Sequence, residues 1–187
     1  ALRRTDYAQS LVATFVRTAR DAYHADATAS EQASDLVRSV REGYPFDGDE
    51  AGWLTCDVLQ DFVLPGQRDL LYLVLCTVVK NALLALHSAL PAEPRIRIVI
   101  AGTPERAVIE VSDNGPGIAP DVLARLTREP VTTRSASGGS GMGLVFCQRV
   151  MASVGGSVEV RSPAGGGAAV RLHFGVPDTE QHHEVSR

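Results

Sequence analysis

Apolar residues recur at helical spacing twice near the start of the chain. Leu11, Val12, Phe15, Val16 and Ala19 share one face across residues 5–24, and Ala33, Leu36, Val37 and Val40 do the same across residues 30–42, which predicts two amphipathic helices. The polar stretch 24–30 between them suits a bend or a helix hairpin. Pro45, Gly48 and their acidic neighbours make residues 43–52 a turn-rich linker, and the main domain boundary is expected there. From Trp53 onward, periods of two and of 3.6 residues alternate. Residues 55–62 read as a first strand of imperfect alternation, whereas 69–90 are apolar almost all round, as a buried helix is. Residues 95–101 and 107–112 alternate as half-buried strands joined by a turn around 102–105. Pro120 opens a short helix to residue 126. Residues 127–141 are poor in apolar side chains and rich in serine, threonine and glycine, a loop long enough to be functional. A helix over 142–154 stops at Gly155 and Gly156, and strands 157–161 and 168–174 flank a turn at 163–167. The tail 178–187 is polar, and His182 and His183 read there as surface histidines rather than a metal pair.

Composition narrows the partners more than the fold. Over 187 residues, 44% are apolar and 21% charged, the balance of a globular protein. A net charge of -4 exerts no global pull on nucleic acid, so none is expected as a partner and any polyanion must be held by local groups. The longest apolar stretch, 70–79, is short of a bilayer span. Neither a transmembrane segment nor a signal peptide is expected. Cys56, Cys76 and Cys147 lie in apolar runs without metal-type spacing and read as buried thiols in a reducing, cytoplasmic compartment.

Three short segments carry chemistry. Asp113-Asn114-Gly115-Pro116-Gly117-Ile118 follows a predicted strand directly. It can be a plain turn, or its carboxylate can accept the exocyclic amine of adenine while Gly115 and Gly117 let backbone lie against the base. Gly139-Ser140-Gly141-Met142-Gly143-Leu144 precedes a predicted helix, where unpaired N–H groups and the helix dipole receive phosphate. It is no P-loop, since the single lysine, Lys80, lies in another helix, and it follows a loop where the dinucleotide fingerprint follows a strand. Asn81 interrupts the apolar helix. Either the backbone satisfies it, or its amide oxygen completes the oxygen shell of a magnesium ion held mainly by phosphates.

In this order the three segments resemble the asparagine box and the two glycine boxes of the superfamily of histidine kinases, gyrases and chaperone ATPases, known as GHKL, over residues 53–177. The resemblance implies the Bergerat fold: an α+β, two-layer sandwich with a mixed, mostly antiparallel sheet covered on one face by helices, here preceded by two helices. It implies ATP and Mg²⁺ as ligands, with Asn81 on the metal, and with Asp113, Gly115, Gly117, Ile118, Gly139, Ser140, Gly141, Met142, Gly143 and Leu144 around the nucleotide. Pro130-Val131-Thr132-Thr133-Arg134 resembles the start of the ATP lid of sensor kinases, with Thr132 and Thr133 beside the nucleotide and Arg134 on the γ-phosphate. Val131 stands where those kinases usually have phenylalanine and Arg134 where lysine is frequent; residues 165–169, ahead of the last predicted strand, resemble the family's final glycine box, with Ala168 where a threonine is usual.

Water-splitting members carry a glutamate base four residues before the asparagine, and here that position is Thr77. A threonine hydroxyl takes no proton near neutral pH, which disfavours hydrolysis and points to phosphoryl transfer. The resemblance then implies a two-component sensor histidine kinase. Such a kinase passes the γ-phosphate to a histidine on its own dimeric helical hairpin, and from there to an aspartate of a response regulator. Full-length kinases of this type can be anchored at the inner membrane. His24-Ala25-Asp26 departs from the acceptor pattern, so residues 1–45 are expected to be a remnant of the hairpin or a linker to it, residues 53–177 the catalytic domain and 178–187 a tail. An anti-sigma-type serine kinase uses the same boxes without a hairpin. A partner-binding pseudokinase is the alternative that Thr77, Val131 and Ala168 suit.

Overall fold

The computed structural model describes residues 31–103, 106–126 and 142–175. A first helix, α1 (Ala33–Gly43), leads through a short 3-10 turn (Glu50–Trp53) into strand β1 (Leu54–Gln60). Then come α2 (Arg68–Ala89), β2 (Ile96–Thr103), β3 (Arg106–Asp113), the one-turn α3 (Pro120–Leu123), α4 (Met142–Ser153), β4 (Ser157–Arg161) and β5 (Ala168–Phe174). The five strands form one sheet in the order β1-β2-β3-β5-β4. β1 runs parallel to β2, and every other pairing is antiparallel.

The alternation of apolar residues decides which face is covered. Register aligns Ile100, Ile109, Leu172 and Val158 across the sheet, and beside them Ile98, Val111, Val170 and Val160. All but the partly buried Val160 are buried, against α2 and α4. The opposite face carries ion pairs, two between neighbouring strands, Arg97 with Asp57 at 2.7 Å and Arg171 with Glu110, and one along β4, Arg161 with Glu159 at 2.7 Å. One layer of sheet under one layer of helices is therefore the architecture, the expected α+β sandwich.

α2 is long and apolar enough to cross a membrane by length and composition. Here it is the central core helix, with Leu71, Val74, Leu75, Val78, Val79, Leu83 and Leu86 at most 2% exposed. Cys76 and Cys147 are buried as expected, and burial pushes the pKa of the Cys147 thiol up to about 12. Cys56 is only partly buried.

The boundary expected at residues 43–52 is not where the core ends. Ala33, Leu36, Val37 and Val40 of α1 belong to the same apolar cluster as the sheet. Backbone bonds from Ala33 N–H to the Phe62 carbonyl and from Leu64 N–H to the Glu31 carbonyl, both 2.9 Å, tie the helix start to the segment entering α2. Residues 43–52 pack as well: the rings of Tyr44 and Phe46 lie 4.8 Å apart and tilted, and Glu50, 1% exposed, bonds to His87 of α2. An amphipathic stripe announces that a partner exists without saying which. The stripe of α1 is buried against α2. The predicted helix at 5–24, His24 and the tail 178–187 lie outside the described residues.

Candidate functional site

One face of α2 organises the site. Thr77, Asn81 and Ala85 follow each other at four-residue steps and so line up along the helix. The start of α4 crosses above the first two: a methyl carbon placed on Gly143 would lie 3.1 Å from Thr77 Cγ2 and 3.9 Å from Asn81 Nδ2. The turn after β3 lies against the third: a methyl carbon on Gly115 would be 3.2 Å from Ala85 Cβ and 2.8 Å from Asp113 Oδ1. The asparagine and the two glycine segments, separate in sequence, are thus brought around one stretch of helix.

Asp113 ends β3, paired with Ile96 on one side and Ala168 on the other. Its Oδ1 accepts the Gly115 N–H at 2.9 Å, which fixes the carboxylate from within its own turn. Burial raises its pKa above the usual aspartate value, while backbone hydrogen bonding from Gly115 and Ala168 pulls the other way. Asn114 has a different task. Its Oδ1 accepts from Arg95 N–H and its Nδ2 donates to the Glu93 carbonyl, both at 2.8 Å, so it anchors the connection between α2 and β2. The turn reading suits Asn114, and the chemical reading rests on Asp113.

Gly117 takes φ +78, and a side chain there would meet Ser162 Oγ at 2.9 Å. Ser162, which directly follows β4, was not singled out by the sequence. Its hydroxyl accepts the Ile118 N–H at 2.8 Å and donates to the Gly167 carbonyl at 2.9 Å. Gly167, at φ +78, returns its N–H to the Gly115 carbonyl at 2.8 Å. The 163–167 turn is therefore locked onto the 113–118 turn. A serine between a strand and a glycine turn was the only hint.

Among the described residues the Asn81 side chain has no hydrogen-bond partner, so its amide oxygen is available for a hard cation. Thr77 Oγ1 donates to the Leu73 carbonyl at 2.7 Å, one turn back in its own helix. Met142, Gly143 and Leu144 form the first turn of α4, with Met142 49% exposed and Leu144 packed on the core. Thr132, Thr133, Arg134, Gly139, Ser140 and Gly141 lie outside the described residues. No group of three His, Cys, Asp or Glu side chains placed to hold a metal occurs among the described residues. A separate cavity of about 310 Å³, lined by Arg38, Arg41, Glu42, Phe46, Ala51 and Leu54, shares no residue with this site.

Residues 66–178 match the family model of histidine kinase-, DNA gyrase B- and HSP90-like ATPases. The C4-dicarboxylate transport sensor protein DctB of Pseudomonas aeruginosa is 38% identical over 107 residues, 56% of this chain and 17% of that protein. The nitrogen regulation protein NtrY of Azorhizobium caulinodans is 35% identical over 157 residues, 76% of this chain and 19% of that protein. The chain spans less than a third of the length of the curated relatives it matches. Full-length ShkA, solved in complex with AMPPNP, superposes with a TM-score of 0.63 at 25% identity, covering 93% of this chain and 37% of that one. The histidine kinase domain of the Escherichia coli osmosensor EnvZ shares the fold, with a TM-score of 0.62 at 20% identity, 88% of this chain and 98% of that one. The matched segment contains Asn81, the Asp113 turn and Gly143, and the chain belongs to the histidine kinase-, DNA gyrase B- and HSP90-like ATPases.

Proposed function

We propose that the chain binds Mg-ATP over the Thr77–Asn81–Ala85 face of α2 and acts as the catalytic domain of a longer sensor histidine kinase. The convergence of Asp113, Asn81 and Gly143 on that face carries the reading. Asp113 receives the exocyclic amine of adenine with the carboxylate oxygen that Gly115 does not occupy. Guanine offers an oxygen at that place and is refused. Asn81, a neutral oxygen donor without a protein partner among the described residues, fits a magnesium ion. When bound, that ion neutralises charge on the phosphates. The chain's own part is to position and to exclude bases: with Thr77 bonded back to Leu73, no side chain at that step can activate water. Transfer to a protein side chain is then preferred over hydrolysis.

The acceptor is a histidine on a dimeric helical hairpin, and the phosphoryl group moves on to an aspartate of a response regulator. The domain works on the cytoplasmic side, and the full-length protein can be anchored in the inner membrane. Thr132, Thr133 and Arg134, with Gly139, Ser140 and Gly141, would close over the phosphates. A pseudokinase is the second reading, favoured by Thr77 and Ala168. Calorimetric titration separates the two. Micromolar Mg-ATP binding that Asp113→Asn weakens about 10- to 100-fold supports the kinase. Absence of binding by the wild-type chain supports the pseudokinase.

A further inference from the structure

We infer that Ser162 is a positioning residue for adenine recognition, acting through the turn that carries Asp113. The inference rests on the nucleotide site proposed above and adds to it the group that sets its purine end. Ser162 Oγ accepts the Ile118 N–H at 2.8 Å while donating its own proton to the Gly167 carbonyl at 2.9 Å. A hydroxyl can do both at once; a methyl does neither, and a thiol does both weakly. The two turns it joins are in backbone contact. A methyl carbon on Gly117 would lie 3.3 Å from the Gly167 carbonyl oxygen, and one on Gly167 would press into the carbonyl oxygen of Asp113 itself. Gly167 N–H bonds to the Gly115 carbonyl at 2.8 Å, and Gly115 N–H holds Asp113 Oδ1 at 2.9 Å. The chain of contacts thus runs from Ser162 through both turns to the carboxylate. Ser162 also carries the only side-chain hydroxyl in residues 162–168, since Ala168 beside Asp113 offers none.

A serine that merely closes a turn would affect stability and leave base selection alone. A serine that aims Asp113 would affect the base and leave the phosphates alone. The test titrates wild type, Ser162→Ala and Ser162→Thr with Mg-ATP, Mg-GTP and magnesium tripolyphosphate, alongside thermal melts. Ser162→Ala should lose about tenfold in ATP affinity, with the ATP-over-GTP preference falling by a similar factor and tripolyphosphate affinity held within about twofold. Ser162→Thr, which keeps the hydroxyl, should restore the preference. Should Ser162→Ala prove too unstable to titrate, Ser162→Cys, near in volume and poor in hydrogen bonding, gives the same comparison. A lower melting temperature with an unchanged ATP-over-GTP ratio overturns the inference while leaving the nucleotide site intact. A wild-type chain that binds no ATP overturns the site, and the inference with it.

Discussion

Burial holds the Asp113 carboxyl above the ordinary aspartate range, against the opposing backbone bonds of Gly115 and Ala168. Its protonated form is thus relatively favoured in the folded chain. This group adds stability below its unfolded pKa, and that contribution is lost as pH rises through the folded value. At neutral pH the ionised carboxylate is a cost that function explains. Asp113→Asn should therefore melt at the same or a higher temperature at about pH 7 while binding Mg-ATP about 10- to 100-fold more weakly. The affinity falls because, with the amide oxygen kept on Gly115 N–H, the amide NH2 group takes the place of the second carboxylate oxygen and faces the adenine amine donor against donor. In wild type, ATP affinity should fall on acidification at a higher pH than for an unperturbed aspartate, as a titration of Kd between about pH 4 and pH 8 would record. A lower melting temperature with unchanged affinity would contradict this account. Asn81→Ala should erase the difference in affinity between magnesium and chelator while leaving adenosine binding in place.

At the scale of elements, the site depends on how closely α4 can approach α2. Gly143→Ala puts a methyl 3.1 Å from Thr77 Cγ2, a contact that needs a small shift of α4. It should cost about 1 kcal/mol in thermal unfolding. The double variant Gly143→Ala with Thr77→Ala should recover most of that loss, because the opposing methyl is gone, and a double-mutant cycle would show the coupling. Independent effects of the two changes would place the helices farther apart than described. How much the sequence reveals also divides by element. The β2–β3 hairpin is legible because Ile96, Ile98 and Ile100 alternate strictly and bury on one face. The parallel pairing of β1 with β2 is not, since β1 is an edge strand whose residues beyond Leu54 are largely exposed. Asp113, Asn81 and Gly143 were found because their chemistry is local to short segments. Asn114 as an anchor and Ser162 as a clamp were not, because each acts on a loop distant in the chain.

For the whole molecule, the core extends from Ala33 to Phe174 as one cluster. α1 therefore packs into the same core as the strands. Leu36→Ala should cost about 2–4 kcal/mol, and a fragment starting at residue 53 should lose cooperative thermal unfolding. A fragment that melts as the full chain does would restore the boundary at residues 43–52. What α1 supports is the placement of α2, and hence of Asn81 under Gly143. The most direct test of the proposed nucleotide site is a crystal structure of the chain with magnesium and AMPPNP. The account predicts the adenine amine within hydrogen-bonding distance of Asp113 and the metal beside Asn81. Nucleotide bound elsewhere, such as the cavity by Arg38 and Arg41, with Asp113 facing no ligand, would contradict it.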